Sequence, residues 1–253
     1  MPLASANDSS DLAGAPYYAV YVGTGGSLRV NTGAGASGSD LEFRNVASGH
    51  GAIESNTTGG RNVGIGYAAL NANTTASYNT AIGNEALTAN TTGSSNTAVG
   101  AFALDANTTA NNNSAFGYGA LGANTTGTQN TAVGLFALSY NSTASNNTSV
   151  GYYALGLSNG AYDNVAVGRN ALSSMTTGQQ NTAVGNQALN SASGCSNNSM
   201  FGMYAGLSVT TGSNNSSVGY SSLYSLTTGG DNVAIGKQAG NDLITPHPEF
   251  GFP

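Results

Sequence analysis

Charged residues are scarce in this chain of 253 residues. Asp, Glu, Lys and Arg together make up 6% of it, whereas a soluble domain ordinarily contains about 25%. The balance is 5 basic against 11 acidic residues, and the sequence contains no basic run. This composition removes the electrostatic attraction on which nucleic-acid binding depends, so a nucleic-acid partner is excluded. Amides and hydroxyls must solvate the surface in place of charge.

Cysteine, proline and long apolar runs are scarce as well. The single cysteine, Cys195, excludes an internal disulfide framework and a metal site built from cysteines. With 39% apolar residues, 5 prolines and a net charge of -6, long disorder is not expected. No apolar run is long enough to predict membrane insertion, and the stretch from Met1 to Val20 lacks the basic start and apolar centre of a signal peptide.

Glycine is abundant, with 37 residues, and much of it is periodic. Eleven glycines recur with a constant 17-residue period: Gly66, Gly83, Gly100, Gly117, Gly134, Gly151, Gly168, Gly185, Gly202, Gly219 and Gly236. An asparagine stands four residues before each of them: Asn62, Asn79, Asn96, Asn113, Asn130, Asn147, Asn164, Asn181, Asn198, Asn215 and Asn232. A fixed period of this kind indicates a repeat architecture.

Two apolar columns accompany the periodic glycines. The residue directly before each glycine is β-branched or aromatic: Ile65, Ile82, Val99, Phe116, Val133, Val150, Val167, Val184, Phe201, Val218 and Ile235. The residue four positions after it is Leu70, Leu87, Leu104, Leu121, Leu138, Leu155, Leu172, Leu189 or Leu223, with Gly206 and Gly240 as departures. We predict that the column before the glycine faces the core. Small residues on the opposite strand face would then allow close approach between chains: Ala81, Ala98, Ala115, Ala132, Ala166 and Ala183.

These columns predict an all-β fold. Alternation with period 2 inside each unit is typical of a short strand, and the flanking Asn and Gly are typical of turns. A 17-residue unit cannot enclose a core alone, but stacked units can. We therefore predict a parallel β-solenoid, a β-roll of eleven 17-residue coils, over residues 56–240. An arm and a small β module with strands near 17–22, 27–31 and 40–46 precede it in residues 1–55, and a cap or tail follows in residues 241–253.

The asparagine column has two interpretations. It could be a row of amides that grips a polymer, or each side chain could bond the backbone at a turn and its copies in adjacent coils. The second is favoured, because every coil needs a residue that recurs in every unit, whereas a binding site would be local.

Little in the sequence suggests catalysis. The acids of the repeats, Glu85, Asp105, Asp163 and Asp231, form no carboxylate pair with the spacing of a glycosidase and are interpreted as solvated side chains. The histidines, His50 and His247, flank the repeats on opposite sides, so no enzyme activity, cofactor or metal is expected. Copies of His247 and Glu249 around a symmetry axis are a remote alternative for an ion site. Cys195 is interpreted as a small apolar filler at a turn.

The strand motif Asn96-Thr97-Ala98-Val99-Gly100 resembles the repeat of trimeric autotransporter adhesin heads. That resemblance implies a left-handed parallel β-roll with three chains about a common axis, although the period is longer here. The fuller unit, residues 91–100, is also similar to repeats in bacteriophage tail fibres and other phage surface proteins. Residues 21–30, followed by 41–49, resemble a small β module of virion surface proteins of tailed phages.

The resemblance implies a structural protein of a phage virion surface. It would be a homotrimeric capsid decoration (cement) or head-fibre protein, located on the particle and bound to capsid or tail proteins through residues 1–55. The candidate attachment residues are Tyr17, Tyr18, Tyr21, Leu28 and Phe43. One alternative is a tail fibre or adhesin that binds host surface glycans. A remote alternative is a secreted ice-binding solenoid, which the paired threonines of the repeats would suggest.

Overall fold

The computed structural model describes residues 28–32 and 44–244, and for the first of these segments the backbone alone. Regular structure in this part of the chain is entirely β, and it contains no helix that could cross a membrane. The strands are β1 (Leu28–Thr32), β2 (Arg44–Ser48), β3 (Val63–Ile65), β4 (Thr80–Ile82), β5 (Thr97–Val99), β6 (Ser114–Phe116), β7 (Thr131–Val133), β8 (Thr148–Val150), β9 (Gly160–Tyr162), β10 (Val165–Val167), β11 (Thr177–Gln179), β12 (Thr182–Val184), β13 (Ser199–Phe201), β14 (Ser216–Val218) and β15 (Val233–Ile235).

The strands stack as a solenoid. Each coil contributes one short strand that pairs in parallel with the corresponding strand of the next coil, as when Ala98 pairs with Ala115. Thirteen strands form one sheet, and β9 and β11 form a second, two-stranded sheet on another side of the coils. The parallel β-solenoid predicted from the 17-residue period is therefore confirmed, with about eleven coils.

The stack begins earlier than residue 56. Strand β2 pairs in parallel with β3, with Val46 opposite Val63, because Asn45, Ala47 and Gly49 have the same spacing as in the later units. Strand β1 then pairs with β2 in antiparallel orientation at the end of the sheet. The strand predicted near residues 27–31 thus corresponds to β1, whereas the strand predicted near 17–22 and the tail at 245–253 lie outside the described residues.

The core contains the alanines and leucines of the repeat. Ala132 and Leu138 are fully buried, as are their equivalents in most coils, whereas Val133 is 37% exposed. The prediction that the residue before each glycine faces the core is therefore wrong, for Val99 and Val133 as for the rest of the column. The interior holds a leucine and an asparagine in most coils, which leaves room on the inner strand face for little more than a methyl group.

The repeated glycines are required by backbone geometry. The φ of Gly117 is +137°, and a Cβ added there would lie 2.5 Å from the carbonyl oxygen of Gly134 in the next coil. No side chain fits at that distance, and the same conflict recurs in nearly every coil. The leucines, such as Leu104 with φ of +51°, also adopt the left-handed region. Glycine replaces leucine at Gly206 with φ of +60°, a conformation that glycine adopts without strain.

One coil shows that interior volume is conserved. Met200 occupies the inner position that is alanine in most coils, and its coil carries Gly206 in place of the leucine. A Cβ added to Gly206 would lie 3.1 Å from Sδ and 3.2 Å from Cε of Met200, so the methionine fills the space that the leucine vacates. The volume lost with the leucine at Gly206 is thus replaced by the larger side chain of Met200.

Candidate functional site

The asparagine column lies inside the coils and has a structural role. The backbone N–H of Asn113 donates to Oδ1 of Asn96 at 2.9 Å, and its Nδ2 donates to the carbonyl of Gly127 at 2.8 Å. Its own Oδ1 accepts from the backbone N–H of Asn130 at 2.9 Å. The same pattern repeats from coil to coil, so the interpretation as a ladder of structural amides is confirmed. These side chains are buried and cannot contact a polymer.

A second amide ladder, which sequence reasoning missed, runs through the first six coils. Its members are Asn56, Asn73, Asn90, Asn107, Asn124 and Asn141. Nδ2 of Asn124, for example, donates to Oδ1 of Asn107 at 2.9 Å and to the carbonyl of Gly127 at 3.0 Å. The Gly127 carbonyl thus accepts from both ladders. The Asn-Thr-Thr triplet that begins most of these units was the available signal.

The second ladder ends where the coil interior becomes apolar. Its next positions are Ser158, Met175, Ala192, Val209 and Leu226, all of them buried. Because Ser158 supplies no amide, Oδ1 of Asn141 is buried without a hydrogen-bond partner. The two halves of the solenoid therefore have different interiors under a nearly constant backbone.

The column before each glycine forms a stripe of apolar side chains on the outer face of the main sheet. Phe116, Val133, Phe201 and Val218 are 37–49% exposed, and Ile235 at the end of the sheet is 76% exposed. At a strand spacing of about 4.8 Å, eleven such residues extend over about 50 Å, far beyond the scattered apolar residues usual on a monomer. We call this column, Ile65 to Ile235, the outer stripe.

The paired threonines form a separate surface row. Oγ1 of the first threonine of the pair bonds the next coil, as when Thr91 donates to the carbonyl of Thr108 at 3.0 Å. The second threonine, such as Thr92, is exposed. The hydroxyls of the first row are thus used for coil stacking. The second row remains on the surface and is interrupted at Gly160 and Gly194.

A pocket of about 510 Å³ opens at the turns that follow β5, β6, β7 and β8, which belong to the third to sixth coils when the coil of β3 is counted as the first. Its lining includes Phe102, Asp105, Tyr118, Phe136, Tyr140 and Tyr153. The ring of Tyr118 packs edge to face against Phe102, with centroids 5.5 Å apart, and against Phe136, with centroids 5.4 Å apart. Most of the lining is apolar, and Asp105 supplies its carboxylate.

Asp105 is not the fully solvated side chain that the sequence suggested. Burial in this pocket raises the pKa of its carboxyl group, and the negative charge of Glu85 raises it further, against an opposing effect of backbone hydrogen bonds. Glu85 itself lies one coil away and is half-buried, whereas Asp163 and Asp231 are exposed. Of the four acids, Asp105 is thus the one that lines the aromatic pocket.

Cys195 is fully buried in the column of small turn residues, as predicted for a filler. Burial raises the pKa of its thiol to about 11, although the Asn198 side chain and the local backbone hydrogen-bond it. The ring of His50 stacks on Tyr67, with centroids 5.7 Å apart. Among the residues that the structure describes, no three His, Cys, Asp or Glu side chains are grouped as metal ligands.

The candidate attachment residues Tyr17, Tyr18, Tyr21 and Phe43 lie outside the described residues, as do His247 and Glu249. Leu28 is in β1, of which only the backbone is described. No protein-family model, curated protein or solved structure matches this chain.

Proposed function

We propose that this protein is a structural component of a bacteriophage virion surface, a homotrimeric capsid decoration or head-fibre protein. The observation that carries the proposal is the outer stripe, an apolar surface that one solenoid leaves exposed to water along its length. The support for a phage source is the resemblance of the repeat, and of residues 21–30 and 41–49, to phage surface proteins.

A second copy of the chain is the partner that the outer stripe fits best. An apolar row with one residue per coil needs a partner surface with the same rise per coil, and an identical solenoid has that rise along its whole length. Three parallel copies about one axis would bring their stripes together at every level, in a closed cyclic assembly. The alanines that sequence analysis assigned to this contact are buried inside each coil, so the contact face is the outer stripe.

Such a trimer would be a stiff rod with few charges on its surface. Each coil is tied to the next by backbone pairing and by the asparagine ladder, which resists bending and local opening. Residues 1–55 would hold this rod on capsid or tail proteins, with the solenoid projecting from the particle. A stiff rod suits a decoration or fibre role.

Two measurements test the proposal. Light scattering at micromolar concentration should give three times the chain mass of 25.0 kDa. Antibodies against the recombinant solenoid should label intact phage particles from the source culture in electron micrographs, at positions on the head. A monomeric mass contradicts the trimer, and particles that carry no label contradict the virion location.

A further inference from the structure

The aromatic pocket exists because one coil lacks two side chains. The fourth coil carries Gly119 where the coils on either side carry Phe102 and Phe136, and it carries Gly122 where they carry Asp105 and Ser139. Both departures fall on the same face of the same coil. The result is a notch centred on this coil, lined by residues of the third to sixth coils.

Side chains of the neighbouring coils lie close to the two glycines. A Cβ added to Gly119 would lie 2.8 Å from Cδ1 of Phe136, so an edge of that ring borders the space beside the glycine. A Cβ added to Gly122 would lie 3.2 Å from Oδ1 of Asp105, so the carboxylate borders the space above the second glycine. Tyr118 packs edge to face with both phenylalanines and fixes their orientation.

The charge of the notch is negative and has no cation to balance it there. The lining contains no Lys, Arg or His, and the charged group that acts on Asp105 is Glu85, another acid. A cation is therefore the ligand whose charge the notch complements, whereas an anion would be repelled.

We infer that this notch, lined by Phe102, Tyr118, Phe136 and Asp105, binds a quaternary ammonium group. A volume of about 510 Å³ is ample for a trimethylammonium group, and the mainly apolar lining suits a cation that needs no hydrogen bonds. Aromatic faces combined with a carboxylate are the usual means of recognising such cations. The inference is independent of the virion role.

Choline is the probe, and 3,3-dimethyl-1-butanol, which has the same shape without the charge, is its matched control. We expect choline to bind the intact protein with a Kd on the order of 1 mM, as is reasonable for so small a ligand. Its methyl proton resonances should shift upfield in NMR titrations because the aromatic rings shield them. The neutral alcohol should bind at least about tenfold more weakly, since it lacks the charge that the rings and Asp105 attract.

Variants assign the binding to the notch. Asp105→Asn should weaken choline binding about tenfold, whereas Asp163→Asn, which removes one exposed charge elsewhere, should leave it unchanged. Gly122→Leu should abolish binding by filling the notch, and leucine occupies the equivalent position at Leu207. Should that variant misfold, Tyr118→Leu serves instead, with Tyr220→Leu in the same column as its control.

The inference is overturned by any of three results with choline and its control. These are an absence of choline binding at the highest soluble concentration, equal binding of choline and the neutral alcohol, or equal weakening by Asp105→Asn and Asp163→Asn. Tighter binding of a neutral monosaccharide than of choline would also overturn it, and would identify a sugar site. Circular dichroism melts of every variant establish that the solenoid is folded in each comparison.

Discussion

At the scale of single residues, the buried asparagines are the most demanding positions of the repeat. Asn113 takes part in three hydrogen bonds to neighbouring coils that involve an asparagine side chain, and all three lie in the interior. A buried polar group without a partner costs more free energy than a hydrogen bond contributes. The loss of one asparagine side chain leaves several such groups, because each amide bonds more than one neighbour. The second ladder illustrates this at Asn141, whose Oδ1 already lacks a partner.

We predict that Asn113→Ala lowers the free energy of unfolding by about 2–4 kcal/mol, because it leaves the N–H of Asn130 and a hydrogen-bond site of the Gly127 carbonyl unsatisfied. Urea unfolding followed by circular dichroism measures the change. Thr109→Ala, at an exposed position four residues earlier, is the control and should change stability by less than about 0.5 kcal/mol. Equal stability of the two variants would contradict the structural role of the ladder.

Cys195 offers a second test at this scale. Its thiol is buried and its pKa is raised to about 11, so a maleimide at neutral pH should label the unfolded protein readily and the native protein very slowly. The raised pKa also fixes the sign of the pH dependence. The neutral thiol is favoured in the folded state, so its contribution to stability is complete below the ordinary value of 9.0 and is lost as pH rises through about 11.

A comparison of the parent protein with Cys195→Ala isolates the pH-dependent contribution of the thiol to stability. Alanine fits this position, because it occupies the same column at Ala144 and Ala161. The melting temperature of the parent should fall more steeply than that of the variant between pH 9 and pH 11. Parallel curves for the two proteins, or rapid labelling of the native thiol, would mean that the side chain reaches solvent.

At the scale of the coil, interior volume decides which residues are allowed. The strand contributes a small inner residue and the following turn contributes a leucine, and the two share one space. The coil with Met200 and Gly206 reverses the sizes and keeps the sum nearly constant. The reversal works because the backbone at residue 206 already has the left-handed φ that its leucine equivalents adopt.

We predict strong coupling between these two positions. Met200→Ala alone leaves a cavity and should cost about 2–5 kcal/mol, and Gly206→Leu alone overfills the coil and should cost about 1–3 kcal/mol. The double variant restores the usual pair of the other coils and should be more stable than either single variant. A double-mutant cycle by urea unfolding measures the coupling, and additive effects would contradict the shared space.

At the scale of the whole molecule, the outer stripe gives one side of the rod a continuous apolar row on a surface with few charges. The outer stripe runs along the sheet that all the coils share, so its effect accumulates over the length of the solenoid. At one end of this sheet β1 covers β2, and at the other Val233 and Ile235 of β15 are about three-quarters exposed.

The neighbouring residues Ala132 and Val133 separate folding from association. Ala132→Asp buries an unpaired charge and should destabilise the chain by at least about 3 kcal/mol. Val133→Asp, which the sequence alone suggested would be equally damaging, should leave the solenoid folded, because this side chain is 37% exposed. It should instead reduce the mass measured by light scattering. A folded Ala132→Asp variant, or an unfolded Val133→Asp variant, would contradict the orientation of the strand.

The sequence by itself determined the architecture, because a constant 17-residue period places every strand against its copy and leaves parallel stacking as the way to pair them. It also predicted the ladder of asparagines, since a residue that every coil repeats must meet its equivalents above and below. Sequence alone did not determine which face of the strand is buried. Ala132 and Val133 are both apolar, and alternation with period 2 is satisfied whichever one points inward.

That choice was made by the tertiary structure. The narrow interior, already occupied by Leu138 and the asparagines, admits a methyl group and excludes the larger side chain. The aromatic pocket has the same origin. Gly119 and Gly122 stand at positions that vary along the repeat, and they form a notch only because the coils on either side bring Phe102, Phe136 and Asp105 around them. Contacts between side chains of neighbouring coils depend on how far each side chain lies from the coil interior. The spacing of residues along the sequence does not give that distance.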